Sequence, residues 1–218
     1  MFTGIIKKTA KIASVKKQAG GLEVEIATPS GWRIQEGQSL SVNGICSTVA
    51  KISGKKLAFT YMPETIRKTT VRWWRKGDTV NLETSLRLGD PIDGHVVMGH
   101  VEGVGHIGAL VNEKGDRLFK IETSHELISG IIKKGSIALD GVSLTVVDVA
   151  PLWFAVALIP YTIAHTNWKE KAVGSRLNIE TDILGRQRLQ TVLGSYATRG
   201  KSKISTKGGS ALGGKKQK

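Results

Sequence analysis

The 218 residues suffice for one large domain or for two of about 100 residues each. Hydrophobic residues at 40% and charged residues at 23% lie near ordinary globular usage, which excludes a chain disordered throughout and a collagen-like one. The formal net charge of +14 invites a nucleic-acid reading, but half of it comes from Arg199, Lys201, Lys203, Lys207, Lys215, Lys216 and Lys218, in a stretch without an acid.

The longest apolar run, Ala150 to Pro160, is far shorter than the roughly 20 residues a bilayer core demands, so no membrane span is expected. Met1 to Lys8 lacks the pattern of a secretory signal, and the expectation is a cytoplasmic protein. Cys46 is the single cysteine, which rules out an internal disulfide and a cysteine-based zinc cage.

Laid against itself at a shift of about 95 to 97 residues, the sequence matches in order throughout. Gly4 to Ile12 aligns with Gly99 to Ile107, and Asn43 to Val49 with Asp140 to Val146. Tyr61 to Ile66 then meets Leu158 to Ile163, and Gly77 to Glu83 meets Gly174 to Glu180. The chain is a duplication, read as domains over residues 1–93 and 94–185.

Taken in chain order, Leu22 to Ile26, Ser39 to Val42, Thr79 to Glu83 and Phe119 to Glu122 alternate at period two, the pattern of strands with one buried face. Such short runs, spaced by Asn-Gly, Ser-Gly or Asp-Gly, predict an antiparallel barrel or sandwich of about six strands in each half. Helical spacing is clearest from about Arg186 to Thr198, where Leu189, Val192, Leu193 and Tyr196 form a narrow apolar stripe. A helix over 186–199 is expected to bury that stripe against the barrels or against copies of itself. Residues 200–218, rich in Gly, Ser and Lys, read as a disordered basic tail, with contact to RNA or another anion as the open alternative.

Gly103-Val-Gly-His-Ile-Gly108 matches the dinucleotide fingerprint as a string, but it falls on a barrel's opening strand with Gly115 soon after, leaving no room for the helix that motif needs. No Walker loop, His-Glu-x-x-His or Gly-x-Ser-x-Gly string occurs. His95 and His100, five apart, point to opposite faces of a strand, which argues against a shared metal. His95 is read as a partly buried histidine bonded to backbone.

The central constellation is the doubled Asn/Asp-Gly-x-x-x-Thr-Val. Asn43-Gly44 and Asp140-Gly141 mark tight turns, and the following strand presents Cys46 and Thr48, or Ser143 and Thr145, on one face. A Pro-x-Thr turn follows in each copy, Pro63-Glu-Thr65 and Pro160-Tyr-Thr162. A glycine-lined, hydroxyl-rich rim of this kind suits a flat heterocycle better than a phosphate or a metal.

Met1-Phe-Thr-Gly-Ile5, Asn43-Gly-Ile-Cys46, Met62-Pro-Glu-Thr65, Gly94-His95 with Gly99-His100-Val101, Asp140-Gly-Val-Ser-Leu-Thr-Val146 and Asn178-Ile-Glu-Thr-Asp182 together resemble the riboflavin synthase alpha chain family, over residues 1 to about 190. The resemblance implies an all-β fold of two tandem six-stranded Greek-key barrels with a C-terminal helix. It also implies a homotrimer in which the first barrel of one chain faces the second barrel of another. The implied reaction is a cofactor-free and metal-free dismutation of two 6,7-dimethyl-8-ribityllumazine molecules by four-carbon transfer, giving riboflavin and 5-amino-6-ribitylaminouracil. Lumazine synthase is an open second partner.

By position, the resemblance assigns Cys46, Ser47 and Thr48 to the first barrel's substrate strand. Gly4, Ile5 and Ile6, with Thr60, Tyr61, Met62, Pro63, Glu64 and Thr65, become its ring and ribityl contacts. Gly99, His100, Val101, Lys134, Ser143, Leu144 and Thr145, with Ile159, Pro160, Tyr161, Thr162, Ile163 and Ala164, form the second barrel's set. Phe2 resembles a lid over the rings. His100, Ser143 and Asp182 look closest to proton transfer, with His100 acting together with Ser143, and Cys46 assists or positions the nucleophile. Ser47, Met98, Asp90-Pro91 and the tail depart from the family pattern.

Two rival readings follow from the same residues. One is a relative that holds lumazine or flavin as an antenna without turnover; the other is a single-strand nucleic-acid binder built on Trp73-Trp74-Arg75-Lys76. The polar pocket set is doubled and the aromatics are not, which disfavours the nucleic-acid reading.

Overall fold

The computed structural model describes residues 1–113 and 116–185. Two closed antiparallel barrels account for nearly all of them. The first is built from β1 Lys8–Gln18, β2 Gly21–Ala27, β3 Ser39–Val42, β4 Ile45–Ser53, β5 Lys56–Tyr61 and β6 Thr79–Thr84. Its strands close in the cyclic order β1-β2-β5-β4-β3-β6. The second contains β7 Gly103–Glu113, β8 Asp116–Glu122, β9 Ser136–Leu139, β10 Val142–Ala150, β11 Trp153–Leu158 and β12 Arg176–Thr181. It repeats that order strand for strand, so the sequence duplication is a duplication of fold. The predicted helix over 186–199 and the tail lie outside the described residues.

Closure depends on strands that turn corners. β1 pairs with β6 through Lys8–Lys11 and with β2 from Ile12 onward, and its register shifts between Ile12 and Ser14. β7 repeats the shift between Ile107 and Ala109. An extra residue at that point bends the strand and lets six short strands meet without an exposed edge.

The cores follow from the alternation. In β4, Ile45, Ser47 and Val49 are buried while Cys46 and Thr48 face out. Val24, Ile26, Leu40, Leu57, Phe59 and Leu82 fill the first barrel, and Ile107, Phe119, Ile121, Phe154, Trp168 and Ile179 fill the second. Each such side chain contributes about 1.5–3 kcal/mol on burial.

The Pro-x-Thr segments are short helices rather than turns: α1 Pro63–Lys68 and, in the second barrel after the short α2 His125–Ile128, α3 Pro160–His165, each of α1 and α3 with proline in its first turn. They are too short to show a helical period in the sequence. In both, a threonine ties the helix to the 3-10 turn that follows: Thr69 Oγ1 donates to Thr65 O at 2.6 Å and accepts from Val71 N, and Thr166 does the same with Thr162 and Trp168.

The barrels meet across a buried polar seam with pseudo-twofold symmetry. Asn43 N–H and Asp140 N–H donate to the carbonyls of Asn81 and Asn178, both at 2.9 Å. Thr70 N–H donates to Asn178 Oδ1, and Asn167 N–H to Asn81 Oδ1, both at 2.7 Å. The amide nitrogens of Asn178 and Asn81 donate in turn to the carbonyls of Asn43 and Asp140. The symmetry breaks where Lys171 Nζ pairs with the buried Asp140 at 2.7 Å, since the first copy holds neutral Asn43 and Trp74 at those places. At the axis Gly44 and Gly141 touch, and a Cβ on either would lie 2.7 Å from the other's backbone nitrogen.

Candidate active site

The hairpins joining β3 to β4 and β9 to β10 have both central residues at positive φ: Asn43 at 48° and Gly44 at 78°, Asp140 at 45° and Gly141 at 78°. That is the twist a two-residue Asn-Gly or Asp-Gly hairpin needs. It fixes the phase of the next strand, so Cys46 and Thr48 project outward from the first barrel. Ser143 and Thr145 occupy the same face of the second.

Each wall is completed from across the seam. Cys46 N–H donates to Gly99 O at 2.9 Å, and Ser143 N–H to Gly4 O at 2.8 Å. Both glycines have positive φ, and a Cβ on Gly99 or Gly4 would fall 2.7 Å from the Cβ of Cys46 or Ser143. Ile6 packs against the second barrel's core and Val101 against the first's. The grouping expected from the sequence is therefore reversed: Gly4, Ile5 and Ile6 belong with the Ser143 site, and Gly99, His100 and Val101 with the Cys46 site. The reason is topological, because each barrel's leading segment runs over its neighbour before entering its own first strand.

Two buried carboxylates hold those segments, and the sequence reading missed them. Glu83 accepts from Thr3 N–H at 2.7 Å, Thr3 Oγ1 at 2.6 Å and Gly4 N–H at 3.0 Å. Glu180 accepts from Met98 N–H at 2.7 Å and Gly99 N–H at 2.9 Å. Burial pushes both carboxyls above the ordinary range, against the pull of these hydrogen bonds. Met98 stands where the first copy has Thr3, so Glu180 lacks the hydroxyl donor that Glu83 receives. The available signal is an acid on both copies of a strand whose Asn-x-Glu residues are all buried, Asn81 to Glu83 and Asn178 to Glu180.

The first site is a cavity of about 320 Å³ lined by Cys46, Glu64, Thr65, Lys68, Gly99 and His100, among others, within the range of small-molecule sites. The second centres on Ser143, whose Oγ lies 2.7 Å from Nδ1 of His95. His95 is thus bonded through its ring to a side chain, not to backbone as expected. Its Nε2 is buried with no partner among the described residues. Burial lowers its pKa below the ordinary 6.5, with Asp182 pulling the other way, so the ring is neutral at pH 7. The pairing of His100 with Ser143 is not made within the chain, because His100 lines the Cys46 cavity.

Lys134 and Asp182 share a neighbouring cavity of about 430 Å³. Lys134 adopts φ of 68° and its N–H donates to Val146 O at 2.8 Å, which ties it to the middle of the Ser143 strand.

Thr60, Met62, Pro63 and Glu64 are exposed in the first barrel, as are Ile159, Pro160, Tyr161 and Ala164 in the second; Thr65, Thr162 and Ile163 are half-buried. Three expected contacts turn inward instead. Ser47 and Tyr61, both buried, bond to each other at 3.0 Å inside the first barrel, and Leu144 joins the second core. Alternation places them opposite Cys46, Thr60 and Ser143, so they act on a ligand only through the backbone. Phe2 is not a lid: it is 0% exposed, packed with Val97 and Ala138 and bridged to Val97.

The family model for the lumazine binding domain matches twice, over residues 3–85 and 98–182. Riboflavin synthase of Actinobacillus pleuropneumoniae is 38% identical over 206 residues, 94% of this chain and 96% of that protein. The riboflavin synthases of Chlamydia trachomatis and Escherichia coli K12 are 38% and 35% identical, covering 93% and 91% of this chain and 100% and 95% of theirs. The chain belongs to the riboflavin synthase family. Among solved structures, LumP complexed with riboflavin superposes with a TM-score of 0.76 at 26% identity, over 83% of this chain and 99% of LumP. LumP complexed with 6,7-dimethyl-8-(1'-D-ribityl) lumazine gives the same TM-score at 24% identity and shares the fold over the same extents. The two walls of this chain carry similar chemistry. Each holds a histidine beside a small hydroxyl or thiol.

Proposed function

We propose that this chain is a transferase that converts two molecules of 6,7-dimethyl-8-ribityllumazine into riboflavin and 5-amino-6-ribitylaminouracil. The two substrates together hold every atom of both products, so the four-carbon transfer balances without an added oxidant. The observation that carries the reading is the paired site, Cys46 with His100 on one barrel and Ser143 with His95 on the other. Two copies of one substrate require two related pockets, and here the pockets are related but not identical.

One lumazine must lose a proton from its C7 methyl, and the other must accept the resulting carbon nucleophile at C7. Neutral His95 can accept a proton from the Ser143 hydroxyl, whose oxygen is then the group that faces the methyl. Asp182 favours the imidazolium that forms. Cys46, exposed on its wall, positions the partner ring, with His100 beside it. Holding two flat rings in register supplies the orientation that such a bimolecular step otherwise lacks.

Within one chain the two walls belong to separate barrels, so stacking two substrates calls for the first barrel of one chain against the second barrel of another. This supports an assembly of chains, read as the homotrimer with residues 186–199 as its contact segment; a cytoplasmic setting and supply of the substrate by lumazine synthase belong to the same proposal. Mixing an H100Q chain with an S143A chain, after unfolding and refolding together, tests the shared site. Activity above that of either variant alone supports it, since one intact site re-forms in a mixed assembly; no gain counts against it. A binding role like that of the LumP structures is the second reading, and it requires that no product form.

A further inference from the structure

On the far side of α1 from Cys46 lies a larger hollow of about 680 Å³. Glu64, Thr65 and Lys68 face the Cys46 cavity, while Ile66 faces this second one. Its floor is apolar, formed by Val15, Leu22, Ile66, Val71 and Trp74, and its rim is cationic, formed by Lys17, Arg72, Arg75 and Lys76. The lining contains no carboxylate. Arg72 is engaged over the Trp73 ring at 4.4 Å. Lys17, Arg75 and Lys76 have no salt-bridge partner among the described residues.

The second barrel treats the equivalent place differently. Trp168 stands where the first barrel has Val71, each the second residue of the 3-10 turn after the helix. Its fully buried indole packs edge-on against Phe119, with centroids 4.8 Å apart. In the first barrel Val71 is fully buried and the aromatic packing is made by Trp74, edge-on to Tyr61 with centroids 5.7 Å apart, so the cationic Lys17, Arg72, Arg75 and Lys76 surround a shallower apolar surface. The hollow's remaining aromatic wall, Trp74, is held in place because its Nε1 donates to Thr70 Oγ1 at 3.1 Å.

Unpaired cations around an apolar, tryptophan-walled hollow select a ligand with a flat hydrophobic body and an anionic group. The chain's own residues 186–218 contain no Asp or Glu, and a second copy brings a net charge of +14, so neither complements this rim. We propose that the hollow behind α1 is a second small-molecule site, separate from the lumazine walls, for an aromatic phosphate or carboxylate.

Calorimetric titration of the full chain with 1-naphthyl phosphate, and with 1-naphthol as its uncharged counterpart, tests the proposal. The phosphate is expected to bind at least about tenfold more tightly than the naphthol and to weaken as salt rises. R75Q/K76Q, two exposed positions, is expected to weaken the phosphate about tenfold. Equal binding of naphthol and its phosphate, or phosphate binding unchanged in R75Q/K76Q, overturns the proposal. R75Q/K76Q alters only exposed surface charge, so its effect on the phosphate reads the hollow and not the fold.

Discussion

Nδ1 of His95 lies 2.7 Å from Oγ of Ser143, although the two residues are separated by 48 positions in the chain. Burial holds the ring below its ordinary pKa of 6.5, and the neutral form is the one that accepts a proton. The acid limb of turnover is therefore expected to have its midpoint below 6.5. His95→Gln should cut kcat by about 10²–10⁴ and remove that limb. A pH profile of kcat for the wild type and H95Q checks this; an unchanged limb in H95Q would assign it to another group.

The same residue sets a stability trend. A histidine with a folded pKa below its unfolded value binds fewer protons folded than unfolded, so stability falls as pH drops through 6.5 toward the folded pKa. Urea denaturation across that window should show a loss in the wild type that H95Q lacks.

Gly4 and Gly99 are expected to tolerate no side chain. Each combines positive φ with a Cβ position 2.7 Å from a neighbouring Cβ. Gly31, with φ of 80° and nothing within 4 Å, isolates the backbone cost alone, about 1 kcal/mol on substitution by alanine. Gly4→Ala and Gly99→Ala should cost about 1–3 kcal/mol more than Gly31→Ala and should also depress turnover. Chemical denaturation and steady-state kinetics on the three variants provide the comparison.

Asn178→Ala should destabilise the chain by about 2–5 kcal/mol, because it strips partners from the buried Thr70 N–H and Asn43 carbonyl together. Asn81→Ala removes the matching pair on the other side of the axis and should cost a similar amount. A large difference between the two midpoints of unfolding would show that the seam's symmetry is not energetic.

Cys46 is exposed and is the chain's single cysteine. Alkylation with iodoacetamide should add one group and abolish turnover, and bound riboflavin should slow it. Mass spectrometry of the product and residual activity read both effects.

The barrels are legible in the sequence because alternation at period two and Asn-Gly or Asp-Gly turns are local signals, seen in Ser39 to Val42 and in the paired hairpins. The duplication then supplies the architecture. What the sequence hides is the exchange across the seam. Gly4 and Gly99 precede their own first strands in the chain, and nothing local says that each lies against the other barrel. His95 reads as a backbone-bonded histidine because its partner, Ser143, is remote in sequence. The turn-like Pro63 and Pro160 segments are helices too short to show a period. Ser47 sits in the chain between Cys46 and Thr48 and groups with them by proximity, yet alternation alone sends it into the core toward Tyr61.

Turnover itself is tested most directly by incubating the purified chain with 6,7-dimethyl-8-ribityllumazine and no other reagent, with and without a chelator, while following both chromophores. Riboflavin is expected at one molecule for every two lumazines consumed, at the same rate in both samples. Lumazine that binds and is never converted would contradict the dismutation and make the chain a carrier.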